Sequence, residues 1–248
     1  MLNHTPEKDS GTEFDAYSEV YSDEINEALA FAGQSHEFYT KVKAEYLTEI
    51  LKNESFSSDK ISVLDVGCGH GLIHPFLLAK NQPVNLSGVD VAASVIKIAS
   101  AMNTQVSYQV YDGYNLPYKD NSFDMAYAIC VMHHVPPDQW VSFLREVKRV
   151  VKPNGLVVIF EHNPLNPITV KIVKECPLDE NATLIRCKKM NKLLKEAGLV
   201  TIKSAYILFT PFDKSFFRKI DRQLRWLPLG AQYFTVSRKP LNTKSFLK

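Results

Sequence analysis

The chain has few cysteines and lacks a long hydrophobic run. Its four cysteines, Cys68, Cys130, Cys176 and Cys187, show no C-x-x-C spacing, which favours a reduced, cytosolic compartment. The first residues are polar and acidic, unlike a signal peptide, and no apolar run approaches the length of a membrane span. A net charge of +2 does not indicate a nucleic-acid partner. We therefore expect a cytoplasmic globular protein that binds no nucleic acid.

The chain does have enough hydrophobic residues for a large core. Its 248 residues, 45% hydrophobic and 23% charged, fit one large α/β domain or such a domain with a small appendage. After residue 60, strand and helix signals alternate, which is typical of a doubly wound, mostly parallel sheet with helices on both faces. The predicted strands cover 61–66, 85–91, 106–112, 123–130, 155–161, 200–209 and 231–238, and the predicted helices cover 72–79, 92–102, 138–151 and 188–197. Helical spacing over 14–51, broken at Gly33, predicts two leading helices.

One stretch, KISVLDVGCGHG at 60–71, joins a buried strand to a glycine-rich turn and a helix. Backbone N–H groups at such a turn face a bound ligand, and a Cβ would stand where that ligand lies. Position 72 is Leu, so the G-x-G-x-x-G spacing of dinucleotide-binding folds is absent. Asp90 ends the next predicted strand, where an acid is placed to hold two ribose hydroxyls.

The stretch VLDVGCGHG resembles the first motif of the class I S-adenosylmethionine (SAM) dependent methyltransferases. The resemblance implies a Rossmann-like, seven-stranded sheet whose last strand is antiparallel, SAM as cofactor and S-adenosylhomocysteine (SAH) as product. It implies an N-terminal helical cap over 1–54 and a methyltransferase domain over 55–248. The tract EHNPLNP at 161–167, with CPLD at 176–179, resembles a little-characterised bacterial subgroup of these methyltransferases. Members of that subgroup are often considered candidates for modifying glycans or lipid-linked intermediates.

The predicted cofactor site follows from these motifs. The turn is placed at the methionyl end of SAM, Asp90 at the ribose, Val91 at the adenine, and Ile129 and Cys130 beside the methyl group. Asp112 and Gly113 resemble the family's element at the adenine amino group, and Tyr21 of a leading helix either covers the cofactor or belongs to a helical core. The full set of predicted cofactor residues is Asp65, Gly67, Cys68, Gly69, Gly71, Asp90, Val91, Asp112, Gly113, Ile129, Cys130 and Tyr21.

Candidate catalytic residues follow the fourth and fifth strands, because parallel sheets build their sites at the carboxyl ends of strands. Methyl transfer to a hydroxyl needs a base, and histidine suits neutral pH. We predict His162 as base ahead of His134, with Glu161 beside them. Adjacent histidines on an extended segment face opposite ways, so one of His133 and His134 at most is expected to face the acceptor. The spacing of His133, His134, His162 and Cys130 resembles no metal motif, so no metal site is expected.

Two insertions, about 163–187 and 210–230, are predicted to form the acceptor lid. Residues 212–227 combine apolar residues at helical spacing with five cations. This segment either lies at a membrane interface, covers the acceptor pocket or packs on the sheet, and packing is favoured.

The expected function is SAM-dependent methylation of a small-molecule or lipid- or glycan-linked acceptor, at oxygen. The alternatives are a carbon or nitrogen methyltransferase of the quinone or small-metabolite type and a non-catalytic SAM-binding subunit. The expected location is the cytoplasm, with peripheral contact at the inner face of the membrane as the alternative.

Overall fold

The structure is a computed structural model that describes residues 35–56, 60–79 and 83–241. The predictions on the first leading helix and on Tyr21 lie outside these residues. The helices are α1 His36–Asn53, α2 His74–Leu78, α3 Ala93–Met102, α4 Trp140–Val150, α5 Pro167–Glu175, α6 Cys187–Glu196 and α7 Ser215–Gln223, with a 3₁₀ turn at Pro177–Asp179. The strands are β1 Ile61–Val66, β2 Val84–Asp90, β3 Ser107–Val110, β4 Phe123–Ile129, β5 Val151–His162, β6 Val200–Ile207 and β7 Gln232–Arg238.

The strands form one seven-stranded sheet in the order β3-β2-β1-β4-β5-β7-β6. β1 to β5 are parallel, whereas β7 lies antiparallel between β5 and β6. The predicted α/β class and the antiparallel last strand are therefore confirmed. The chain leaves β1 toward β2 on one side and returns as β4 on the other, and such a reversal opens a crevice at the carboxyl ends of the strands.

Two apolar layers hold helices against the sheet. On one face, α1 buries Tyr46 and Leu47 in a cluster with Val63 of β1. On the other face, Leu144 of α4 and Leu194 of α6 are fully buried with strand residues. Because α1 shares a core with the sheet, its buried face is part of the main domain's packing. The boundary predicted at residue 54 stays a prediction.

For two of the elements that differ from their predicted bounds, the structure shows a local reason. α2 is only five residues long, and Pro75 in its first turn contributes no N–H to it. β5 begins at Val151 instead of residue 155: Phe123 pairs with Val151 and Met125 with Leu156, so the intervening residues bulge from the ladder. Residues 153–155 thus form part of a bulge inside a longer strand.

The basic insertion, residues 212–227, packs on α1. Glu49 of α1 accepts from Arg222 at 2.6 Å and from Arg225 at 3.1 Å, and Arg218 donates to the buried Asp221 at 3.0 Å. These pairs take up three of the five cations, which supports the packing alternative. Trp226 near the end of the segment is 75% exposed. Among the described residues, none of the helices has the length and apolar character that crossing a membrane requires.

Trp140, the first residue of α4, fixes the turn that follows β4. Its side chain is 1% exposed, and its indole N–H donates to the carbonyls of Met132 and Val135, both at 2.9 Å. The turn between these two carbonyls carries His133 and His134. A single buried donor therefore holds the backbone that presents both histidines.

We predict that Trp140→Phe lowers the free energy of unfolding by about 1–3 kcal/mol, because it removes the indole N–H that donates to the Met132 and Val135 carbonyls. Urea denaturation followed by circular dichroism measures this change. The matched control is Trp226→Phe, which should change stability by less than about 0.5 kcal/mol because that side chain is exposed. Equal stability of the two variants would contradict the assignment.

Candidate active site

The glycine turn after β1 has a backbone that only glycine adopts without strain. Gly67, Gly69 and Gly71 have φ angles of 74°, 51° and 66°. A Cβ on Gly67 would approach Cγ2 of Val131 to 2.5 Å, and a Cβ on Gly71 would collide with the hydroxyl of Tyr108. Gly67 and Gly71 are therefore required both by these φ angles and by the close packing of Val131 and Tyr108 against the turn.

Asp90, at the end of β2, is tied to this turn. Its Oδ2 accepts from the Gly69 N–H at 2.9 Å, and its Oδ1 accepts from the Ala92 N–H at 3.1 Å. Burial raises the pKa of the carboxyl, while both N–H groups act in the opposite direction. A carboxylate oxygen has more than one lone pair, so each oxygen can also accept from a ribose hydroxyl. The geometry of Asp90 thus allows the predicted contact with the ribose hydroxyls, which stays a prediction.

The Asp65 side chain is buried and contacts His74, which follows the glycine turn. Its carboxylate is buried and lies 3.1 Å from Nε2 of His74, whose Nδ1 is 2.5 Å from the hydroxyl of Tyr108. The Asp65 carboxylate therefore contacts the helix that follows the turn, and its predicted role as a cofactor residue stays a prediction. Cys68 is likewise buried, and burial raises the pKa of its thiol well above the usual value.

The predicted adenine residues come together at the ends of β2 and β3. A Cβ on Gly113, whose φ is 84°, would lie 3.5 Å from Cγ1 of Val91. Asp112 accepts from the backbone N–H groups of Tyr114 at 2.8 Å and Asn115 at 2.6 Å. Hydrogen bonds from Asn115, first its side chain and then its backbone, lower the pKa of Asp112. Asp112 therefore caps its own turn, and its contact with adenine stays a prediction.

The chain reverses sharply after β4. Cys130 has a φ of 56°, an unusual value for a residue with a side chain and one that is concentrated at functional sites. Ile129 and Cys130 are both partly exposed, as the prediction that they line the cleft requires. A hydrogen-bonded turn follows, closed by the His134 N–H on Val131 O at 3.0 Å.

That turn corrects the prediction that His133 and His134 face opposite ways. Their ring centroids are 4.1 Å apart, and Nε2 of each ring lies near Oδ1 of Asp179, at 3.3 Å for His133 and 3.4 Å for His134. The segment is a turn, so the alternation of an extended strand does not apply.

Glu161, near the end of β5, positions His133. The carboxylate is 0% exposed, its Oε2 lies 2.6 Å from Nδ1 of His133, and its Oε1 accepts from the Met132 N–H at 2.8 Å. Burial opposes the ionisation of Glu161, but the charge of His133 outweighs it and lowers the pKa of the carboxyl. Burial likewise acts against the charged form of His133, and Glu161 and Asp179 outweigh it, so the pKa of His133 rises well above its usual value. Glu161 is therefore a positioning residue for His133, and its predicted catalytic role stays a prediction.

The two predicted bases, His134 and His162, stand on either side of His133. Burial, followed by the charge of His133, lowers the pKa of both to about 4, so both are neutral at neutral pH. The rings of His133 and His162 are 5.2 Å apart, and Nδ1 of His162 lies 3.4 Å from the side-chain amide nitrogen of Gln232.

Two polar residues of this cluster were missed by the sequence analysis. Asp179 belongs to the CPLD tract, and its loop is fastened to the histidine turn by the Thr183 N–H, which donates to His133 O at 2.8 Å. Gln232 begins β7 and pairs with His162 in the antiparallel register. The CPLD tract was noted for its resemblance to a subgroup, but nothing in its sequence indicated a contact between Asp179 and His133.

Comparisons with known proteins agree with this geometry. The family model described as "Methyltransferase domain" matches residues 64–159. Methyltransferase GfsG of Streptomyces halstedii is 31% identical over 218 residues, which cover 78% of this chain and 77% of that protein. O-methyltransferase resE of Aspergillus sclerotiorum is 29% identical over 205 residues, which cover 77% of this chain and 75% of that protein.

A solved structure shows the same fold. The structure of a SAM-dependent methyltransferase of Thermotoga maritima, described as a possible histamine N-methyltransferase, superposes with a TM-score of 0.63 at 19% identity and covers 91% of this chain and 98% of that one. The extent of the match to GfsG agrees with the glycine turn and the position of Asp90. The chain therefore belongs to the class I SAM-dependent methyltransferases, and SAM is its cofactor.

Proposed function

We propose that the chain transfers the methyl group of SAM to a hydroxyl oxygen of a small-molecule acceptor. The observation that carries this proposal is the cluster of His133 and His134, in the turn after β4, with His162 at the end of β5. A group that accepts a proton beside the transferred methyl is what a hydroxyl acceptor requires.

The cofactor's place follows from the residues that fit it. The turn at Gly67 to Gly71 is assigned to its methionyl end, and Asp90 to its ribose hydroxyls. When bound, SAM supplies an electrophilic methyl group. The chain's own residues orient the acceptor and take its proton, and positioning of this kind supplies much of the acceleration in a displacement reaction.

His162 is the residue that we assign as the base. Oε1 of Gln232 is buried without a hydrogen-bond partner among the described residues, while Nε2 of Gln232 lies near both Nδ1 of His162 and Sγ of Cys130. Exchanging the two ends of this amide lets Oε1 accept from the Nδ1–H of His162. Nε2 of His162 then has a free lone pair, and its neutral state at neutral pH keeps that lone pair available.

Oxygen as the methylated atom is supported by resE, which is named an O-methyltransferase and aligns over three quarters of its length. Nitrogen is the alternative, because a shorter alignment, over 116 residues, relates the chain to norajmaline N-methyltransferase of Rauvolfia serpentina. Assaying hydroxyl compounds, each matched with its amine counterpart, for SAH release separates the two: SAH from the hydroxyl member alone supports our proposal, and SAH from the amine member alone overturns it.

We predict that Asp90→Ala weakens SAM and SAH binding about 10- to 100-fold, because hydrogen bonds to a charged acceptor are each worth about 1.5–3 kcal/mol. Isothermal titration calorimetry measures the change. Asp120→Ala is the matched control, since Asp120 is an exposed carboxylate paired with Arg149 at 2.8 Å and should leave the affinity unchanged. Unaltered affinity in Asp90→Ala would remove Asp90 from the site.

We predict that His162→Ala lowers kcat about 10²- to 10⁴-fold while the Kd for SAM stays within about 2-fold, because a general base acts on the acceptor and not on the cofactor. Turnover with an acceptor from the hydroxyl panel and calorimetric titration with SAM give the two numbers. Unchanged turnover would show that His162 is not the base.

A lipid-linked acceptor is the second candidate, favoured by exposed aromatic side chains in the insertion. Phe212, Phe216 and Trp226 are 48%, 66% and 75% exposed. Such side chains favour the interface between lipid headgroups and acyl chains.

The lipid-linked candidate predicts that the protein floats with anionic lipid vesicles and that the double substitution Phe216→Ser and Trp226→Ser abolishes this. Met102→Ser is the control, because Met102 is 57% exposed on α3, outside the insertion. Failure of the unmodified protein to float would eliminate membrane contact through this segment.

A further inference from the structure

We propose that His133, His134 and Asp179 bind a divalent transition-metal ion, with Zn²⁺ the best fit, and that Glu161 orients the first of these ligands. Each of the three residues offers one ligand atom, and all three atoms lie within 4.8 Å of one another. Two imidazoles and a carboxylate form a donor set that suits zinc and its first-row neighbours.

The distances fit a metal better than they fit hydrogen bonds. Nε2 of His133 and Nε2 of His134 lie 3.3 Å and 3.4 Å from the same oxygen, Oδ1 of Asp179. Charge-assisted N–H···O bonds are shorter, about 2.7–2.9 Å. By contrast, a tetrahedral zinc ion with bonds of about 2.1 Å separates its ligand atoms by about 3.4 Å. A cation between the three atoms needs only small adjustments of the side chains.

Glu161 completes the arrangement that metal-binding histidines usually have. Nδ1 of His133 lies 2.6 Å from Oε2 of Glu161, so with the Nδ1 proton donated to Glu161 a metal ion displaces the Nε2 proton and binds the lone pair that faces Asp179. Without a proton or a metal ion in between, that lone pair would face the negative oxygen of Asp179. A carboxylate on the far nitrogen of a ligating histidine fixes its tautomer and orientation.

An ion can reach this cluster from solvent. His133 is buried, but the side chains of His134 and Asp179 are 22% and 13% exposed. Asp179 also lines an open cavity of about 650 Å³ formed by α5 and the 3₁₀ turn. Three protein ligands leave the fourth position of a tetrahedral ion for a water or an oxygen of a small molecule.

The test uses tag-free, full-length protein that has been stripped with a chelator. Calorimetric titration with ZnCl₂ should give one ion per chain, and Co²⁺ should give the visible absorption of a tetrahedral site. Asp179→Asn should weaken Zn²⁺ binding about 100-fold or more by removing a ligand. Glu161→Gln should weaken it about 10- to 100-fold by loosening His133. Glu180→Gln is the matched control, because Glu180 is the adjacent, exposed carboxylate of the same cavity, and it should bind Zn²⁺ as the unmodified protein does.

None of these readings depends on methyl transfer, so they stand or fall separately from the proposed function. Thermal unfolding confirms that each variant is folded, and His134→Gln replaces Asp179→Asn if that variant is not. No one-to-one binding of Zn²⁺ or Co²⁺ by the unmodified protein would overturn the proposal, and so would unchanged affinity in the ligand variants. If neither ion binds, hydrogen bonds alone connect the two histidines to Asp179.

Discussion

The contact between Glu161 and His133 is the constraint on which the acceptor end of the site depends. A carboxylate with 0% exposure is costly unless its oxygens are hydrogen-bonded, and here one oxygen contacts the imidazole and the other accepts from the Met132 N–H. Because Glu161 belongs to β5 and the other two residues follow β4, the contact joins two strand ends. It also fixes the side of the turn on which both histidines lie. The remaining polar groups are arranged around this buried pair.

The cofactor half of the site could be predicted from the sequence because its residues are close together in the chain. The glycine turn directly follows β1, and Asp90, which accepts a hydrogen bond from this turn, ends the next strand. A strand–turn–helix pattern therefore indicates the whole unit. The direction of the Asp65 side chain was not predictable in this way. Asp65 is adjacent to the turn, but its side chain is buried with His74, and a sequence does not show which side of a turn a side chain occupies.

The acceptor half could not be assembled in the same way, because four separate segments supply it. His133 follows β4, Glu161 ends β5, Asp179 lies in an insertion and Gln232 begins β7. The antiparallel register of β5 and β7 brings Gln232 opposite His162, and no local spacing expresses that. The fold itself was largely predictable from the alternating apolar runs. The bulge in β5 and the ion pairs between Glu49 and the basic insertion were not, because both depend on contacts between distant residues.

The central claim, that the glycine turn and the end of β2 form a SAM site in a methyltransferase, is tested most directly by calorimetric titration of the unmodified protein with SAH and, in parallel, with NAD. The account predicts one-to-one binding of SAH and no binding of NAD, since Leu72 stands where a dinucleotide fold has its third glycine. Binding of NAD in place of SAH would contradict it, and so would the absence of SAH binding by folded protein.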